Sequence, residues 1–181
     1  MNNVKYGIAA LDALRSKLDA TSHLEVIHEG GYCWSAFFRF QEPATKEELE
    51  LVKMHMNISL PPAYEQFLMY CNGARLYQDE VYGQWGFHFY STGELLSKNI
   101  ERKKPYGDRW SASYLIFAES LGDADLLVLD TSQYTRDRKD CGVVDGDSGY
   151  GPAEWRTIAR GFSDWLDRLV VAQGAKYWRW Y

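Results

Sequence analysis

The sequence predicts an α+β domain in which a mainly antiparallel, twisted sheet packs against several helices. Three observations carry this. Helical periodicity recurs up to residue 73, strand-like runs are grouped after residue 80, and one last amphipathic helix follows them. Strands that are grouped rather than alternating with helices favour antiparallel pairing. At 181 residues the chain suits a single domain, 1–181, large enough to bury nearly ~70% of its unfolded surface.

Ile8, Leu11, Leu14 and Leu18 recur at near-helical spacing, so residues 5–19 open the chain as an amphipathic helix. Residues 24–28 and 32–40 are β-prone runs joined by Glu29-Gly30-Gly31, a hairpin connection. Thr45 and Glu48 form a capping box, and Leu49, Val52 and Met56 mark the buried face behind it. Pro61-Pro62 can only begin a helix, because proline lacks the amide donor. Tyr64, Phe67, Leu68 and Cys71 follow at i, i+3, i+4 and i+7, and Asn72-Gly73 is placed to end the helix in a left-handed cap. Strands are expected at residues 85–90, 114–118, 126–129 and 142–144, with a short helix over 92–99. Ser163 is read as the N-cap of the last helix, whose face carries Trp165, Leu166, Leu169 and Val170 and which stops at Gly174.

Twenty Lys and Arg against 25 Asp and Glu leave a net charge of −5, which on average repels a phosphate backbone, so direct nucleic-acid binding is not expected. No window provides the ~18 apolar residues of a membrane span, and Asp12 interrupts any secretory apolar core, so a cytoplasmic protein is expected. Three widely spaced cysteines without a C-x-x-C pair suit reduced thiols.

Motifs for catalysis are incomplete. Gly146-Asp147-Ser148-Gly149 has the letters found around a protease serine, but such a serine needs a histidine base and an orienting carboxylate, and none of the four histidines stands in a matching context. A glycine- and aspartate-rich turn is the preferred reading. Asp123-x-Asp125 and Asp145-x-Asp147 have spacing that could hold a divalent cation, yet neither completes a ligand set and both are read as solvated turns. The chain is therefore expected to have no catalytic residues, no metal and no cofactor. Residues 102–110 mix Arg102, Lys103, Lys104 and Arg109 with Tyr106 and Trp110 and are read as a solvated loop. The C-terminal Tyr177-Trp178-Arg179-Trp180-Tyr181 is either a contact platform or an extension packed on the core.

From residue 44 onward the order of motifs resembles the SUKH superfamily, which includes bacterial immunity proteins and fungal cell-wall assembly (glucan synthesis) regulators. The resemblance rests on the capped helix at Thr45, on Leu60-Pro61-x-x-Tyr64-x-x-Phe67-Leu68 with Asn72-Gly73, on the Gly122-Asp123 turn, on an apolar strand ending at Asp130, and on the closing helix. It implies a core over 44–173, preceded by a helix-plus-hairpin extension (1–43) and followed by an aromatic tail (174–181). It also implies a domain without catalysis that binds another protein: a cognate toxin of nuclease or deaminase type, or a regulatory target. The matching residues have core spacing or suit special backbone angles, so they read as architectural.

The chain's 7 Trp, 13 Tyr and 8 Phe exceed what periodic faces account for. Tyr82, Trp85, Tyr106, Trp110, Trp178, Trp180 and Tyr181 lie in expected loops or at the terminus. Tyr82, Trp85, Trp178 and Trp180, with Asp123, Asp125 and Asp147, are the residues expected to form an exposed partner surface.

Overall fold

The computed structural model describes residues 6–133 and 140–180. Its chain order is α1 (Tyr6–Arg15), β1 (His23–Ile27), β2 (Cys33–Phe40), α2 (Lys46–Met56), α3 (Pro62–Tyr70), β3 (Ala74–Gln78), β4 (Phe87–Phe89), α4 (Thr92–Lys103), β5 (Tyr114–Ser120), β6 (Leu126–Asp130), β7 (Gly142–Gly146), β8 (Arg156–Ala159) and α5 (Phe162–Val171). The eight strands form one sheet in sequence order, and every neighbouring pair is antiparallel. The expected α+β architecture is thus present, and the first hairpin is part of the same sheet as the later strands.

One face of the sheet meets α3 and α5 through rings. Phe87, Phe89 and Phe117 lie against Phe162 and Trp165 of α5 and Tyr64 and Phe67 of α3, with centroids 5.2–6.4 Å apart. Leu60, Tyr64, Phe67 and Leu68 are all buried, as their spacing requires. Helix α1 lies on α5, where a side chain at Gly7 would come within 3.3 Å of Leu166 and Ser163. The other face is covered in part by α4. There Asn99 donates to the Ile116 carbonyl at 2.8 Å and accepts from the Ile116 amide at 2.8 Å. Its amide continues the backbone ladder beyond the end of β4, which has three residues.

Local signals hold at the start of α2, where Thr45 and Glu48 complete the capping box. They also hold at α3, where Pro61 is the N-cap and Pro62 follows inside the first turn. Two cap assignments change. Helix α3 ends with Cys71 in an extended conformation, so Asn72-Gly73 is not a left-handed cap. Asn72 instead reaches 20 residues along the chain, accepting from the Thr92 amide at 2.7 Å and donating to its hydroxyl at 2.8 Å at the start of α4. Gly73 (φ +94°) lies where a Cβ would be 2.9 Å from the Ser91 amide nitrogen. Helix α5 begins at Phe162 rather than after Ser163. Its free amides are met by Asp140, which accepts from Phe162 at 3.0 Å and from Ser163 at 3.2 Å. Asp130, at the end of β6, accepts from the Ser113 hydroxyl and the Ser132 amide.

Strands β3 and β8 were not expected. β8 is a short edge strand with exposed Arg156 and Thr157, so it has no apolar run to reveal it. Residues 102–110 face solvent for the most part, as expected, but they are not a loop: Arg102 and Lys103 end α4, Arg102 bonds Glu119, and a 3-10 turn spans Lys104–Arg109. Cys33, Cys71 and Cys141 are free, and burial pushes the Cys71 thiol up to about 12.

Candidate functional site

A sheet whose strands follow sequence order alternates its connections between two ends. The β1–β2, β3–β4, β5–β6 and β7–β8 turns therefore share one end, and contacts join them into a continuous rim. The His28 ring lies 4.4 Å from that of Trp85, linking the first turn to the second. Leu121 donates to the Gly86 carbonyl at 2.8 Å, linking the second to the third. Gly122 (φ +89°) sits so close to the Gln84 carbonyl that a side chain there would collide with it. The Ser148 amide donates to Asp125 Oδ1 at 2.8 Å, linking the third to the fourth. Within the second turn, Asp79 accepts from the amides of Val81, Tyr82 and Gln84 at 2.9, 3.0 and 3.3 Å. Burial opposes its ionisation, but those three donors prevail and hold the carboxyl below its ordinary range. Tyr82 is consequently displayed on an internally braced loop.

The segment after α5 folds across this rim. Gln173 accepts from the Ile27 amide at 2.7 Å, and Gly174 (φ +82°) passes directly against the Tyr77 ring. Lys176 Nζ then lies 2.6 Å from both Asp123 and Asp125. Arg179 forms a fork on Asp145, at 2.7 and 2.8 Å, and also reaches Asp125 at 2.9 Å and Asp147 at 3.4 Å. Burial disfavours the Asp125 anion, yet Lys176 and the Ser148 amide overcome it and hold the carboxyl at about 2. The same carboxylates keep Arg179 charged, raising its pKa against the cost of burial.

This arrangement revises the expected partner surface. Asp125 is 3% exposed and Asp123 and Asp147 are paired with tail cations, so the three do not form a free acidic patch. Trp178 is half-buried, its ring 6.0 Å from Trp165 and 6.4 Å from Phe87, so it extends the core. Trp180, Tyr82 and Trp85 are exposed as expected. Tyr181 lies outside the described residues. Tyr106 and Trp110 are not free surface aromatics: with Tyr114 and Trp155 they form a four-ring cluster with centroids 5.2–6.1 Å apart. The two carboxylate pairs face tail cations, and among the described residues no group of three or more His, Cys, Asp or Glu could hold a metal ion. Ser148 Oγ donates to the Asp123 carbonyl at 3.4 Å, while His23 and His88 bond carboxylates of their own and His28 lies on Trp85.

Five aromatics are exposed among the described residues: Tyr32, Tyr82, Trp85, Tyr150 and Trp180. All five are on the four turns or the tail. Tyr32 and Tyr150 escaped the sequence reading, although each stands beside glycines, Gly31 and Gly149, that place it at a turn tip. Between them lie two clefts that share Arg179. One of about 370 Å³ is lined by Tyr150, Trp155, Trp178 and Asp145. The other, of about 220 Å³, is lined by His28, Trp85, Gly174 and Lys176.

An antiparallel sheet packed with helices, with a rim of turns that displays aromatic rings, defines the class as an α+β domain. The sequence profile of the SMI1/KNR4 family (SUKH-1) matches residues 43–168, well over half of the chain, and the protein belongs to that family. A search of curated proteins found no match. Helix α1, β1 and β2 precede the matched segment, and the tail that closes the rim follows it. Among the described residues, no helix is long and apolar enough to cross a membrane.

Proposed function

We propose that the chain is a non-catalytic protein-binding domain that acts as an immunity protein, neutralising a cognate toxin of nuclease or deaminase type by stoichiometric attachment at the aromatic rim. The observation that carries this reading is the convergence of every exposed aromatic among the described residues on one end of the sheet. Tyr and Trp offer large contact areas at low entropic cost and dominate the energetic centres of protein interfaces. Co-expression with the protein encoded by the adjacent toxin-like reading frame tests it. Protection of the host and a 1:1 complex on size exclusion are expected; unabated killing with no complex would refute the reading for that pair.

One observation favours the second reading, a regulatory scaffold that binds a cellular protein or peptide. Lys176 and Arg179 already engage the rim aspartates, so direct carboxylate contacts to a basic nuclease are fewer than the net charge suggests. The overall −5 still accelerates encounter with a basic partner, because steering acts through the summed field.

A further inference from the structure

The sheet face that bears α4 carries a row of polar side chains. Arg39 of β2 is the register partner of Arg75 of β3, Arg75 of His88 of β4, and His88 of Glu119 of β5. Residues directly opposite on antiparallel strands point to the same side, so these four form one line across four strands. The acidic end of the line is satisfied. Glu119 bonds Arg102 and lies 3.7 Å from His88. Glu94 is 3.1 Å from His88 through one oxygen, and its other oxygen accepts from the Ser91 amide and hydroxyl at 2.9 and 2.7 Å.

The basic end differs. Among the described residues, neither Arg39 nor Arg75 has a carboxylate within ion-pair distance, although the two are directly cross-strand, an arrangement in which like charges repel. They open into a cleft of about 510 Å³ whose walls also include Gln41, Glu42, His88 and Glu94.

We propose that Arg39 and Arg75 form a receptor for a single carboxylate, an Asp or Glu side chain presented by a protein partner. This rests on the protein-binding reading above. Two guanidiniums match a carboxylate through paired N–H donors, and the ligand would relieve their mutual repulsion. A monoanion fits better than a phosphate dianion or a nucleic acid strand. Glu42 and Glu94 stand in the walls and the chain's net charge is −5, both of which penalise higher negative charge. The partner would thus be held at two places, its apolar surface on the rim and an acidic residue on this row.

The test uses the full chain and three probes: an end-capped Gly-Gly-Glu-Gly-Gly peptide, its Gln counterpart, and inorganic phosphate, each titrated while the Arg side-chain Nε–H resonances are followed. The Glu peptide is expected to shift Arg39 and Arg75 saturably, with the Gln peptide silent and phosphate at least about fivefold weaker, in line with charge-assisted pairing of one carboxylate. The backbone amides of Gln41 and His88, which line the same cleft, should shift with the Glu peptide in the wild type and stay unshifted in the double variant Arg39→Gln, Arg75→Gln, which should melt no lower than the wild type. Equal response to both peptides, tighter phosphate binding, or a lowered melting temperature in the variant would overturn the proposal. With the co-expressed neighbouring protein, tenfold or greater weakening in the double variant supports the site. Undiminished binding overturns it while leaving the protein-binding reading intact. A Glu-specific response in a chain that captures no such protein supports the receptor and counts against the immunity reading alone.

Discussion

At the rim, four aspartates lie beneath Lys176 and Arg179, cations that the chain itself supplies. On the row that crosses the sheet's α4 side, Arg39 and Arg75 share a cleft whose nearby carboxylates bond elsewhere, apart from exposed Glu42. Both regions are rich in charge, yet they have opposite physical characters. Where folding provides the counter-ion, the charge is a device of stability and is lost as a docking feature. Where it does not, the charge is open for a ligand.

The largest expected effect tests the closed side of this contrast. Arg179→Ala removes the guanidinium from buried Asp125 and Asp145, and should cost about 2–3 kcal/mol in urea unfolding, below the range for a fully buried pair because Arg179 is partly exposed and Lys176 remains on Asp125. A loss under about 1 kcal/mol would place the rim pairs with ordinary surface salt bridges and break the contrast. Trp178→Ala comes next, with a loss of about 2–3 kcal/mol from ring contacts with Phe87 and Trp165. An unchanged melting temperature would return Trp178 to the surface group.

Acid titration sharpens the comparison. Asp125 and Glu119 are both held at about 2, below an unfolded value near ~4, despite the opposing effect of burial; Lys176 and the Ser148 amide act on Asp125, and His88 and Arg102 on Glu119. A depressed carboxyl stabilises the fold above its unfolded value, and that contribution is lost as pH falls from about 5 toward about 2. Urea midpoints measured through this window should decline for the wild type, and the decline should be shallower in Lys176→Met, which removes the leading partner of Asp125. The smallest stability effects belong to the open surface. Tyr82→Ala and Trp85→Ala should remain within about 0.5 kcal/mol of wild type, yet weaken binding of the co-expressed partner at least tenfold. The opposite pattern would make these rings structural.

The helical framework was largely legible because its signals are local. Thr45 and Glu48 are three residues apart, and Tyr64, Phe67, Leu68 and Cys71 fall on one face at a spacing any reader of the period detects. The site was legible only in part. Tyr82, Trp85 and Trp180 were identified as surplus to any periodic face and are exposed, but so were Tyr106, Trp110 and Trp178, which the fold enclosed. Absence of a period does not distinguish a displayed ring from one that contacts a distant element. Strand β3 was missed because it begins directly after Asn72-Gly73, where a helix cap was the stronger local signal.

The sequence by itself determined the composition of the core, the helix starts at Thr45 and Pro61, the first hairpin and the glycine at 122, since each depends on backbone sterics or on side chains a few residues apart. Tertiary structure alone decided that Asn72 braces α4, that Asp140 caps α5, and that Lys176 and Arg179 meet aspartates 32 to 54 residues away. Such pairings depend on which turns share an end of the sheet, a property of strand order that no local spacing records.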